Sequence, residues 1–239
     1  MNPVLFTAEF VLLCGIQIFS VIFSLIVFVN GLKRYLNIDK SEVFLRKSVK
    51  YFSFILLTIA CAAAWALFVN IYFIISSDGL VSGYLYSGVI TATFVNIFCA
   101  WQFLNYLILP ERRGTKYTVG ICVIIGIVLV WFYPGFMTTV FFSPQTENIF
   151  IYLYLLTLFY FVYIIYTFEF FRHGLKTAAK KEKYRFYCLG VSSLLGLFMF
   201  LGIILGLTFG WLIILNSTIL LYLGYNFPKF FQKALKVQS

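Results

Sequence analysis

Residues 186–228 read FYCLGVSSLLGLFMFLGIILGLTFGWLIILNSTILLYLGYNFP, 43 positions between Arg185 and Lys229 without one charged side chain. A membrane crossing takes about 20 apolar residues. One helix cannot absorb this stretch; two can, with a tight turn between Gly202 and Gly210. The choice decides the fold, because a single crossing would carry Lys229, Lys233 and Lys236 to the side opposite all the other bases.

The same logic extends upstream. All 18 Lys and Arg residues lie in alternate gaps between long apolar segments. Lys33, Arg34, Lys40, Arg46, Lys47 and Lys50 follow the first segment; Arg112, Arg113 and Lys116 follow the third. Arg172, Lys176, Lys180, Lys181, Lys183 and Arg185 follow the fifth. Short loops rich in Lys and Arg stay cytoplasmic. The pattern predicts an all-α integral membrane protein of the cell membrane: a bundle of seven transmembrane helices, N-terminus outside and C-terminus inside. Residues 1–227 form the bundle and residues 228–239 a tail. The predicted crossings run from Val4 to Val29, Tyr51 to Ile75, Leu80 to Leu109, Tyr117 to Tyr133 and Ile149 to Phe171, with the last two inside residues 186–228. Asp39 or Ser41 is the expected cap of the second helix, and Pro110 and Pro134-Gly135 are the expected stops of the third and fourth.

Composition supports a lipid environment. With 62% hydrophobic and 11% charged residues, the chain falls far below the roughly 25% charge of soluble domains. Seven crossings leave no space within these residues for a separate catalytic or nucleotide-binding domain. The net charge of +10 reads as topology, not as a nucleic-acid footprint. The bases share their side with Asp39, Glu42, Glu111, Glu169 and Glu182, and face only Glu9, Asp78 and Glu147 across the membrane. Such a surface attracts the anionic lipids of the inner leaflet, at about 1 kcal/mol per base, and offers a docking face to a cytoplasmic protein partner. The first segment is too long for a cleaved signal peptide and has no basic stretch before it.

Several chemistries lack their parts. The single histidine, His173, stands in an inner loop beside Arg172, so this chain alone holds neither a bis-histidine haem nor a histidine-rich metal centre. No Lys lies within a crossing to form a Schiff base, and no carboxylates line up at mid-membrane for proton transfer. Cys14, Cys61, Cys99, Cys122 and Cys188 fall in apolar segments with no CxxC pair, as packing residues do. The chain is read as a non-enzyme without a cofactor. Glu169 and Arg172, three residues apart at the inner end of the fifth helix, can form a local ion pair.

Polar side chains on apolar helices remain as candidates for binding. The third segment carries Tyr84, Ser87, Thr91, Cys99, Gln102 and Asn105 on one broad helical stripe, with Asn96 to its side. The seventh carries Asn216, Ser217 and Thr218, then Tyr222 and Asn226. Lipid disfavours such faces, so they meet protein or a cavity. An outward-open pocket is predicted from Tyr84, Ser87, Thr91 and Asn216, with Glu9 at its mouth and aromatic walls from Tyr152 and Tyr160. The competing reading has these groups bonding only to one another. Trp131 and Tyr133 are expected interface anchors.

After Pro228, Lys229, Lys233 and Lys236 fall on one helical face and Phe230, Phe231, Ala234 and Leu235 on the other, the pattern of a short amphipathic interfacial helix. Gly31-Leu32-Lys33 after the first segment matches Gly174-Leu175-Lys176 after the fifth, and Leu104-Asn105-Tyr106 loosely echoes Leu223-Gly224-Tyr225. Both pairs suit a duplicated unit of three helices joined by a single linking helix, although their offsets differ.

Seven crossings, short loops and the Asn226-Phe227-Pro228 exit into an amphipathic tail resemble the seven-helix sensor regions of prokaryotic histidine kinases. The third segment ends Pro110-Glu111-Arg112-Arg113, which differs from the acidic-Arg-aromatic ending of G-protein-coupled receptors. The resemblance implies a receptor or sensor that binds a small or lipophilic ligand and signals through a cytoplasmic or membrane partner. An accessory or scaffold subunit and a small-molecule transporter are the alternatives, the latter needing broken helices at Pro134-Gly135 or near Gly202 to Gly210.

Overall fold

The computed structural model describes residues 3–76, 79–108, 113–132, 149–199 and 207–235, and among these it is helical with no strand. Eight helices are seen in the described residues: α1 Pro3–Asn37, α2 Val43–Ser76, α3 Gly79–Leu107, α4 Arg113–Phe132, α5 Ile149–Lys176, α6 Lys180–Leu197, α7 Leu207–Asn226 and the short α8 Lys229–Ala234. Five of them, α1, α2, α3, α5 and α7, are long and apolar enough to cross a membrane. The apolar part of α4, Tyr117–Phe132, is shorter, and α6 opens on the charged run Lys180-Lys-Glu-Lys-Tyr-Arg185 before its apolar portion. The uncharged stretch 186–228 is divided between α6 and α7.

Side-chain placement shows what solvent these helices face. On α1, Gln17, Ser20 and Ser24 are buried (0%, 1% and 0% exposed), whereas Val11, Ile22 and Ile26 are exposed (68%, 53% and 57%). A water-soluble helix would invert this arrangement. An apolar face turned outward and a polar stripe turned inward suit hydrocarbon, where each helix satisfies its own backbone and polar side chains need protein partners. The outward face of α4, with Ile121, Ile124, Ile125 and Val128, follows the same rule.

The chain forms two compact units, one of Gln17–Phe159 and one of Met1–Ile16 with Tyr160–Ser239. In the first, α2 packs along α3, and α3 along α4. Its centre is the fully buried set Phe52, Leu56, Phe94, Ile97, Phe103 and Leu104. Asn96 on α3 donates from Nδ2 to the Ile55 carbonyl (3.1 Å) and to Thr58 Oγ1 (2.8 Å) on α2. Gly31 of α1 lies against Ser53 of α2 so closely that a Cβ there would overlap the hydroxyl. Asn70 Nδ2 on α2 donates to Gln17 Oε1 on α1 at 3.3 Å.

In the second unit α6 packs along α7. Ser192 Oγ donates to the Ser217 carbonyl (2.7 Å), and Ser217 Oγ donates back to the Ser192 carbonyl (2.8 Å). Thr167 Oγ1 on α5 reaches Ser193 Oγ at 2.9 Å. Arg185 closes one end of the pair, donating to the Gly224 and Tyr225 carbonyls of the last turn of α7 (3.3 and 2.9 Å) and to both oxygens of Glu182 (2.9 Å each). Those carbonyls belong to the last turn of a helix, where no further residue supplies the N–H. The expected Glu169–Arg172 pair is present at 3.4 Å, with His173 also 3.7 Å from the Glu169 carboxylate.

Besides α1, which continues past Val29 to Asn37, helix ends depart from the sequence reading at three further points. Helix α2 starts at Val43, before Tyr51, and the Asp39 carboxylate accepts the Ser41 N–H (3.0 Å) within the preceding turn in place of capping the helix. Helix α4 starts at Arg113, before Tyr117, and α5 continues past Phe171 to Lys176. The cause is common to all three. Hydropathy marks where the hydrocarbon begins, whereas the helical ladder runs on through the interface as long as each N–H finds its carbonyl. Pro110, Pro134-Gly135 and the glycines Gly202 and Gly206 lie outside the described residues. At the far end, Phe227 takes a left-handed conformation (φ 44°) and Pro228 follows, which together end α7 and begin α8.

Candidate functional site

Helix α3 places Val95, Phe98, Gln102 and Tyr106 at steps of three and four, one above another on a single face. They look onto a cavity of about 550 Å³ that Tyr51 of α2 and Tyr117, Gly120, Ile121, Val123, Ile124 and Ile127 of α4 complete. This volume falls in the range of small-molecule pockets, and so does the composition: apolar walls with few polar groups.

The cavity has a chemically graded lining. Its depth is aliphatic and aromatic. Gln102 is its buried polar group, 5% exposed, and its amide forms no hydrogen bond with a described residue. The end nearer Lys47 and Lys50 is aromatic: Tyr51 stacks on Tyr106 with ring centres 5.6 Å apart and planes within 4°, and meets Phe98 edge-on at 6.5 Å. Two ammonium groups stand over those rings, Lys47 Nζ 5.1 Å from the Tyr106 centroid and Lys50 Nζ 5.9 Å from that of Tyr51. Neither lysine forms an ion pair with a described carboxylate. Gly120 leaves the wall open, since a Cβ there would lie 3.4 Å from the Phe98 ring, an ordinary contact, with space beyond.

Of the residues predicted from sequence whose side chains are described, none is among those that line this cavity. Ser87 is buried and its carbonyl accepts Thr91 Oγ1 at 2.8 Å; the same Thr91 hydroxyl accepts the Trp131 indole N–H at 3.0 Å. Thr91 thus holds α4 to α3 and does not line the cavity. Trp131, expected as an interface anchor, is the donor of that bond while its ring stays 55% exposed. Asn216 is exposed and its amide donates to the Leu212 carbonyl of its own helix at 2.8 Å. Glu9 is exposed and Tyr160 half-buried. The side chains of Tyr84 and Tyr152 lie outside the described residues. Ser87, Thr91, Tyr84 and Tyr152 belong to one compact unit, and Glu9, Tyr160 and Asn216 to the other.

Gln102 was visible in the sequence as part of the polar stripe of α3, although the reading favoured the other end of that stripe. Tyr51, Tyr106 and Gly120 were not singled out as site residues. The signal that could have found them is the run Lys47, Lys50, Tyr51, where bases and an aromatic group meet at the predicted membrane edge. The buried stripe Gln17, Ser20, Ser24 also escaped notice, although its spacing of three and four is that of one helix face. Among the described residues no cluster of His, Cys, Asp and Glu is arranged to hold a metal ion. The sequence matches no family model, no curated protein and no solved structure.

Proposed function

We propose that the chain is a seven-crossing membrane receptor or sensor, N-terminus outside and C-terminus inside, that takes a lipophilic ligand between α2, α3 and α4. The occupied state is then read by a cytoplasmic or membrane partner. The observation that carries the ligand reading is the cavity itself: about 550 Å³, apolar, with Gln102, whose amide forms no hydrogen bond with a described residue, in its lining. A buried polar group without a partner among the described residues gains free energy when a ligand or water bonds to it. The topology rests on the confinement of the bases to alternate gaps.

Three helices surround the site, so a ligand can act by favouring one packing of α4 on the α2–α3 pair. The shift it produces is limited to the difference in its affinity for the two packings. The inner ends of these helices carry the bases through which a partner would sense that shift.

The test is photolabelling of the purified protein with a neutral, diazirine-bearing long-chain alcohol. Saturable labelling of α3 and α4 around Phe98, Gln102 and Ile124, abolished by Gly120→Leu, is the expected result. Labelling spread evenly over all outward faces and insensitive to Gly120→Leu would remove the site. Partners that stay bound after gentle extraction, and leave when the alcohol is added, would support the signalling half of the proposal.

A further inference from the structure

Resting on that same cavity, we infer that its occupant is an anionic phospholipid, with one acyl chain between α3 and α4 and the head group at Lys47 and Lys50. Three observations converge. First, the cavity is graded along its length. Val95, Phe98, Val123, Ile124 and Ile127 supply an apolar channel of the kind an acyl chain fills, whereas Tyr51, Tyr106 and Gln102 gather toward one end. Second, that polar end carries two ammonium groups seated on the very rings that line it, at 5.1 and 5.9 Å from the ring centroids, with no described carboxylate paired to either. Exposed, and without a described carboxylate beside them, they can meet a phosphate. The sequence adds Arg113 and Lys116 on the first turns of α4, which begins at the same end of the bundle. Third, the cavity is walled on one side by residues that also face outward: Ile121 and Ile124 are 58% and 63% exposed, and Tyr117 is 73% exposed. A lipid can therefore enter sideways from its leaflet without passing through water.

The division of labour follows from the chemistry. The Gln102 amide, which has two N–H donors and one carbonyl, suits the ester carbonyls at the junction of head group and chain. The tyrosine hydroxyls lie at the level where amphipathic rings prefer to sit. The lysines supply the charge discrimination. A neutral head group would lose the attraction to the lysines while keeping the channel. Inorganic phosphate would have the charge without the channel. On the proposed topology the leaflet concerned is the inner one, where anionic lipids are concentrated.

The experiment is native mass spectrometry and thermal unfolding of the full chain, delipidated and then titrated with phosphatidylglycerol or phosphatidylcholine of identical chains. One phosphatidylglycerol per chain should be retained, with a preference of roughly tenfold or more over phosphatidylcholine, as two bases near a head group imply. The Lys47→Gln, Lys50→Gln variant should reduce that preference to within about twofold without losing the channel. Gly120→Leu should displace both lipids while the helical circular dichroism stays unchanged. Ammonium phosphate alone should give no stabilisation. Equal retention of the two lipids in the wild-type chain, with Gly120→Leu still displacing both, would refute the anionic occupant and leave the lipophilic cavity intact. No retained lipid, no effect of Gly120→Leu and no site-directed photolabelling would remove the cavity reading as well. A dimer that Gly120→Leu dissolves, with no lipid bound, would assign the groove to a second copy and overturn the inference.

Discussion

Asn96 offers a direct measure of what holds α3 to α2. It is 9% exposed, and its amide nitrogen donates to both the Ile55 carbonyl and the Thr58 hydroxyl (3.1 and 2.8 Å). Thr58 Oγ1 itself donates to the Ile55 carbonyl at 2.8 Å, so two groups on one turn of α2 close a small network around one side chain of α3. In water such a buried amide would be worth more. In a bilayer the separated helices find other partners, and interhelical bonds average about 0.6 kcal/mol with a maximum near 1.7. Two bonds from one amide set the expected loss for Asn96→Leu at about 1–2 kcal/mol. Leu has the same number and branching of heavy atoms, and its bulkier methyl groups leave no cavity behind.

The assay is a double-mutant cycle with Thr58→Val, read by reversible unfolding in mixed micelles. Thr58→Val removes the acceptor of one bond and leaves the Ile55 carbonyl to Asn96. The coupling between the two sites should be about 0.5 kcal/mol, the share of the single bond they have in common. A coupling of zero, or a stability of Asn96→Leu equal to or above that of the wild type, would refute the reasoning. It would mean that the α2–α3 pair is held by shape alone, and that Asn96 is placed where it is for another purpose.

Further outcomes follow from the same geometry. Arg185→Gln should destabilise the α6–α7 pair by about 1–2 kcal/mol, because the Gly224 and Tyr225 carbonyls lose charged donors; equal thermal stability of variant and wild type would show that solvent replaces them. Replacing Phe230, Phe231 and Leu235 with Ser should expose the tail to protease while the bundle stays folded, since Phe231 packs edge-on against Phe227 at 5.6 Å and each apolar anchor contributes on the order of 1–2 kcal/mol. Unchanged cleavage would rule out an anchored tail. Single cysteines near Asp78, Thr146 and Phe209 should react with an impermeant thiol reagent added outside, and those near Lys40, Lys116 and Lys180 should not; outside labelling at Lys116 or Lys180 would overturn the orientation. The Asp39 carboxyl is held below the usual carboxylate range mainly by the Ser41 N–H. Whatever this bond contributes is present above the ordinary Asp pKa and is lost as pH falls through the lowered value. The Ser41 amide resonance, followed by NMR on acidification, should report that loss below the ordinary range; a midpoint at the ordinary Asp value would refute it.

How far the sequence could be read depends on which physical signal each feature leaves. Five membrane-length helices and the division of residues 186–228 between α6 and α7 were legible, because hydropathy and charge act over whole segments. Helix ends were less so, since α2 and α5 run on through charged interfacial turns that hydropathy counts as loop. The candidate cavity uses the part of the α3 stripe opposite to the residues the sequence reading favoured. The stripe on α3 was recognised from its spacing, yet spacing alone does not say which of its groups already have partners. Thr91 illustrates the difficulty. Its hydroxyl looks available in sequence, but Trp131 comes from the next helix to occupy it. Gln102 belongs to the same stripe and has no such neighbour.

The tripeptide match between Gly31-Leu32-Lys33 and Gly174-Leu175-Lys176 gains a physical meaning from the two units taken separately. In one, Gly31 sits where α1 approaches Ser53 of α2; in the other, Gly174 sits where α5 approaches Phe186 and Tyr187 of α6. Each is the point near the base-rich end at which the first helix of a triplet crosses the second, and each is followed by a lysine two residues on. In both units it is the second and third helices that pack along one another, α2 with α3 and α6 with α7. The polar ties differ completely: an Asn–Thr network joins one pair, and a reciprocal Ser192–Ser217 clasp joins the other. A shared plan with unrelated fastenings is what results when packing geometry is set by small residues at the crossing and the hydrogen bonds are chosen locally afterwards. In the first unit α4 lies beside α3 and leaves Gly120 opposite Phe98, whereas in the second Gly224 of α7 is pressed on Leu189 and the Arg185 carbonyl.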